Sequence, residues 1–177
     1  MNLASNSGVT LVELLLAVLL VTLLAMAAVV SELAGERILR LTRNRSEAQN
    51  EAQAVIEHMA VRISPANLVE GVALSNYIVR ARVDYDTSWN PLADSADDTS
   101  DDTYVWYGRN ATTNQVEFAH TASTLPVPAS QDTVGVNITV FAATVSNNEV
   151  QVDITAQKGT ESVTLHSSIA LRCMPSG

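Results

Sequence analysis

The run from Val9 to Val30, VTLVELLLAVLLVTLLAMAAVV, limits what this chain can become more than any other feature. Its 22 residues are interrupted only by Thr10, Glu13 and Thr22. As a helix it rises about 33 Å, close to the ~30 Å hydrocarbon core of a bilayer. Glu13 is the anomaly. A carboxylate inside an apolar segment costs several kcal/mol unless it is neutralised or paired, which makes it a functional-site candidate. The nearest bases, Arg37, Arg40 and Arg43, are far along the chain.

Three fates for the run compete. A secretory signal peptide has a positively charged start, a shorter apolar stretch and an A-x-A-like cleavage site. Here MNLASNSG carries no Lys or Arg, and apolar sequence continues past the AMA at 25–27. A plain single-pass anchor fits the length but leaves Glu13 unexplained. Cleavage between Gly8 and Val9 supplies the missing partner, because it creates an α-ammonium four residues before Glu13. That amine, on the same or a neighbouring chain, can pair with the carboxylate.

GVTLVELLLAVLLVTLLAMAA, residues 8–28, resembles the class III signal of type IV pilins and type II secretion pseudopilins. In that family a short polar leader ends in Gly, and an aromatic, Thr, Leu, an aliphatic and Glu open an apolar helix. Gly8 matches the last leader residue, Val9 the new N-terminus, and Glu13 the glutamate at the fifth mature position. The resemblance implies cleavage after Gly8 by prepilin peptidase, with N-methylation of the new terminus. It also implies subunit registration by Glu13, and partnership with other pilin or pseudopilin subunits and an inner-membrane assembly platform. The chain departs from the pattern in having Val9 where Phe is usual and a leader without a basic residue. Arg37, Arg40, Arg43 and Arg45 after the run favour the reverse orientation by charge alone. The resemblance instead places the leader in the cytoplasm and the head outside the inner membrane.

Charge is unevenly spread. Residues 1–83 hold seven Arg and seven Glu, 84–102 hold seven Asp and no base, and 103–177 hold three bases and five acids, giving the net charge of −9. An acidic chain without a basic stripe argues against nucleic acid as a partner. Cys173 is the only cysteine, so packing rather than an intrachain disulfide must stabilise the head.

Between Val9 and Ser64 there is no proline, and Gly35 is the single glycine. It marks an expected weak point in the helix. Beyond it Leu41, Ala48, Ala52, Val55, Met59 and Ile63 recur at helical spacing. The sequence therefore predicts a leader over 1–8, a transmembrane or filament-core helix over 9–30, its amphipathic continuation over 31–64, and a β-rich head over 65–177. In 76–85, NYIVRARVDY places Tyr77, Val79, Ala81, Val83 and Tyr85 on one face of a strand. Residues 103–108 and 114–120 make a hairpin around NATTN, and three strands over 134–145, 149–157 and 160–173 make a meander. The fold class is α+β, a long N-terminal helix packed on an antiparallel sheet, in agreement with pilin architecture.

Residues 86–102 form a polar loop in which Asp94, Asp97, Asp98, Asp101 and Asp102 are weak candidates for calcium, without EF-hand spacing. A solvated acidic loop is the competing reading. All six Tyr and Trp residues lie between 77 and 107, and Trp89 in the loop is a candidate partner contact. His58, His120 and His166 are dispersed, and no metal, phosphate-loop or nucleophile-elbow spacing is present. No enzyme is predicted and no cofactor beyond the calcium candidate. The long helix and the terminal SSIALRC resemble larger minor subunits, the J-type pseudopilin and the W-type minor pilin. The competing function is a single-pass, membrane-anchored extracytoplasmic binding module.

Overall fold

The computed structural model describes residues 10–74, 76–83, 102–122, 131–146 and 149–171. One helix, α1 (Leu11–Ile63), precedes eight strands among these residues: β1 (Leu68–Leu74), β2 (Tyr77–Val83), β3 (Thr103–Asn110), β4 (Gln115–Thr121), β5 (Gln131–Gly135), β6 (Ile138–Ser146), β7 (Glu149–Lys158) and β8 (Glu161–Ala170). Two compact units divide the chain, Met1–Thr42 and Arg43–Gly177. The expected α+β arrangement is present, with the helix packed on antiparallel sheets.

In the second unit, Ala48, Ala52, Val55, Ile56, Met59 and Ile63 form the buried stripe of α1. They share one core with Val79, Val83, Val105, Tyr107 and Phe118 from one sheet and with Ile138, Val150, Val152 and Ile154 from another. Helical spacing identified this face from Ala48 on, Ile56 widens it by one position, and Leu41, expected at its start, is only half-buried. The helix runs through Gly35 without a break, as expected of one helix continuing from the apolar run into 31–64. A single glycine costs about 1 kcal/mol, too little to interrupt a helix already nucleated on both sides.

Among the described residues the head holds two sheets, one ordered β1-β2-β3-β4-β5 and one ordered β6-β7-β8, all antiparallel. Strand β2 alternates as expected, with Tyr77, Val79, Ala81 and Val83 buried. The β3–β4 hairpin also forms, its turn organised by Asn110, whose Oδ1 accepts from the amides of Thr112 (3.0 Å) and Thr113 (3.3 Å). Two readings need correction. β1 was not expected, because Gly71 and the preceding Pro65–Asn67 blur its alternation. The segment 134–145 is not one strand: β5 ends at Gly135 in the first sheet and β6 begins at Ile138 in the second. Asn137 turns the corner with φ of 59°, a left-handed conformation that Asn tolerates better than most residues.

Several contacts tie this corner to the rest of the head. Ile138 N–H donates to the Asn114 carbonyl (2.8 Å), and Arg109 Nε donates to the Ile138 carbonyl (2.8 Å). The amide of Val136 reaches Glu51 Oε2 on the helix (3.2 Å). Gly135 allows the close approach, since a Cβ there would lie 2.4 Å from Val55 Cγ2.

Candidate functional site

The N-terminal part of α1 is the segment whose chemistry the fold does not consume. Fourteen large apolar side chains between Leu11 and Val30 are exposed, from 54% at Val18 to 77% at Leu11. They lie at every azimuth of the helix, so no face of this stretch is a water-adapted one. The helix is long and apolar enough to cross a membrane. Such an area stays out of water only if lipid or other apolar helices cover it.

The polar side chains of this stretch are satisfied within it. Thr10 caps the helix, accepting the Glu13 amide on Oγ1 (3.3 Å). Glu13 Oε2 reaches back to accept from the Thr10 amide (2.9 Å) and from the Thr10 hydroxyl (3.0 Å). This reciprocal pair is a capping box, with the acid also lying at the positive end of the helix dipole. Thr22 donates its hydroxyl to the Leu19 carbonyl (2.8 Å), the local bond open to threonine in an apolar helix. All three polar residues from Thr10 to Val30 are thus bonded inside their own helix. Thr10 was missed as a functional residue, although the T-x-x-E spacing ahead of an apolar run was its signal.

Gly8 and Val9, the expected processing residues, lie outside the described residues. So do Trp89 and four of the five calcium candidates, Asp94, Asp97, Asp98 and Asp101. Asp102 is described, and it departs from the picture of a solvated loop. Its side chain is buried, and Oδ2 lies 3.1 Å from Arg82 Nε. Among the described residues no three His, Cys, Asp or Glu side chains gather as metal ligands do.

Within the head the histidines have local partners. His58 on α1 places Nδ1 2.8 Å from the Tyr107 hydroxyl and packs edge-on against Phe118. Burial, reinforced by nearby Arg62, holds the His58 imidazole below its ordinary range, and Asp132 partly offsets this. Burial also pushes the Tyr107 phenol up. On the exposed face of the second sheet, His166 Nδ1 lies 2.6 Å from Asp153 Oδ1. Ser168 sits on the same face, but its hydroxyl donates to Glu149 Oε2 (2.9 Å) rather than to His166.

A second aromatic cluster occupies the first sheet. Tyr77, Trp106 and Ala119 are buried together, with Val72 and Tyr104 packed against them. The Arg80 guanidinium lies over both Trp106 (5.3 Å) and Tyr104 (5.7 Å) and pairs with Glu70. These aromatic side chains are structural: they pack the sheet and hold a cation between its strands.

Comparison with protein-family models, with curated proteins and with solved structures returned no match.

Proposed function

We propose that this chain is a minor pilin or pseudopilin, a structural subunit of a type IV pilus or type II secretion pseudopilus. The observation that carries the reading is the N-terminal helix itself: exposed and apolar around its circumference, with every polar side chain from Thr10 to Val30 bonded internally. Joined to the motif at Gly8, Val9 and Glu13, it has the properties of a subunit that waits in the inner membrane and then moves into a helical filament core. Prepilin peptidase removes residues 1–8, and the apolar circumference exchanges lipid for neighbouring helices.

The capping box sharpens the role of Glu13. Its carboxylate already bonds the Thr10 amide, so cleavage after Gly8 brings the new ammonium to the adjacent residue. Before assembly the acid is held by its own first turn. During assembly it is available to the terminus of a neighbouring subunit. The head, outside the inner membrane, supplies the surface that distinguishes this subunit from others.

Replacing Glu13 by Ala tests the role in the native assembly system. Cleavage should proceed, while incorporation into filaments falls. Thr10→Val separates registration from capping, because it removes the hydroxyl and keeps the charge. Incorporation that fails only with Glu13→Ala supports registration, and normal incorporation of Glu13→Ala removes it. A membrane-anchored binding module that never enters a filament would show neither cleavage after Gly8 nor this dependence.

A further inference from the structure

Among the described strands the two sheets present four edges, and three of these are protected against further pairing. β1 carries a register shift between Gly71 and Leu74, and β5 is five residues long and meets β4 across another shift. β6 is shifted between Ile138 and Val140 and lies against strands of the first sheet. β8 is different. All ten of its residues, Glu161–Ala170, pair with β7 in unbroken register. Its sequence, ESVTLHSSIA, contains no Lys, no Arg and no Pro, the devices that usually blunt an edge.

The ladder fixes which groups this edge offers. The Gln157 amide is turned toward Asn137 at the start of β6, so the alternate residues of β7, those opposite Glu161, Val163, Leu165 and Ser167, bond β8. The even-numbered residues of β8 therefore point their amides and carbonyls outward. The Ala170 carbonyl confirms this parity, since it accepts from Ser64 Oγ (3.2 Å). Ser162, Thr164, His166 and Ser168 offer four outward amides and four outward carbonyls, and no described strand takes them.

We infer that β8 is a strand-pairing interface whose occupant is β8 of a second copy, antiparallel about a two-fold axis at His166. This register puts His166 opposite His166 of the second copy and Thr164 opposite Ser168, with Ser162 beside Ala170, whose carbonyl already accepts from Ser64 Oγ; the side chains flanking the axis are small and no acids face each other. On the inner side it puts Leu165 of the second copy beside Ser167, and Val163 of that copy beside Ile169. Beside these residues lies a groove of about 610 Å³ lined by Ala60, Val61, Pro65, Ser167 and Ile169, with Val61 70% exposed at its wall. After Glu161 at its start, the inner row reads Val163, Leu165, Ser167, Ile169, so Ser167 is the one small polar residue among apolar neighbours. The second copy's Leu165 and Val163 supply the apolar bulk missing there. An isologous contact of this kind is closed and makes one continuous six-stranded sheet. It does not depend on the filament reading.

The test uses the full chain in detergent, with mass by light scattering and sedimentation over a concentration series. Thr164→Pro removes an outward amide at an edge position where proline is tolerated, and unchanged circular dichroism verifies that the head is folded. The wild-type chain should dimerise, and Thr164→Pro should weaken the dimer about tenfold or more. In a Cys173→Ser background, His166→Cys should form a disulfide with its own copy on mild oxidation, because residues facing across such a pair have Cα atoms about 5.5 Å apart. A wild-type chain that stays monomeric overturns the inference. So does association that survives Thr164→Pro, which then belongs to the apolar helix, or failure of His166→Cys to cross-link.

Discussion

Two stretches of the same helix meet opposite fates. From Leu11 to Val30 the side chains are apolar on every side and none is buried; from Ala48 to Ile63 one stripe is buried almost completely and most of the rest is polar, with Val61 the one large apolar side chain left exposed. Helix propensity does not separate them, since both are continuous helix. The difference is where the covering comes from. The later stretch is covered by the chain's own sheets, so its pattern has a helical period. The earlier one is covered by none of the described strands, and its pattern has no such period. Polar side chains follow the same division. In the first stretch they are satisfied by the nearest turn, as at Thr10, Glu13 and Thr22. In the head several reach partners across long sequence separations, as His58 does to Tyr107.

Matched truncations break the comparison most sharply. Met59 is fully buried, so Met59→Ala should lower head stability by about 2–5 kcal/mol. Leu19 is 56% exposed, so Leu19→Ala should leave head unfolding unchanged, with near-ultraviolet circular dichroism of Trp106 and Tyr107 as the readout. Equal losses would mean that the two stretches belong to one cooperative core. Gly135→Ala probes the contact between helix and sheets. Its new methyl meets Val55 at 2.4 Å, and overpacking of this kind costs about 1–3 kcal/mol. A variant that melts like the wild type would show that the helix shifts freely on the sheets.

Smaller effects belong to the helix end and to His58. Thr10→Val should cost about 1 kcal/mol of local helix stability, seen as faster amide exchange in the first turn without change in head melting. For His58 the sign follows from its depressed proton affinity in the folded head. The unfolded chain, near the ordinary value of about 6.5, binds the proton more readily. The stability contributed by this neutral histidine is therefore present above that value and lost as pH falls toward the depressed one. Melting followed from pH 7.5 to pH 5 should show a decline that His58→Phe reduces. An unchanged slope in that variant would assign the decline to other groups.

The helix, its core-facing stripe, β2, the β3–β4 hairpin and the β6–β7–β8 meander were legible because each follows a simple period. What escaped was set by single residues. Asn137 ends one strand and starts another inside VGVNITVFAATV, and the hydrophobic pattern carries through the break. β1 was hidden by Gly71 and by the turn before it. Asp102 looked like part of an acidic loop because sequence gives no sign that Arg82, twenty residues earlier, comes to meet it. At the N-terminus, Glu13 stood out as a charge in apolar surroundings, yet its partner Thr10 was only three residues away in a recognisable spacing. The long-range partners of the head needed the fold; that local one did not.

The most direct measurement is the mass of the mature chain and of its N-terminal peptide, taken from cells that contain a prepilin peptidase. A subunit of a pilus or pseudopilus begins at Val9, with or without a methyl group on the new amine. A chain that keeps Met1, or one cut near residue 27, contradicts the filament assignment.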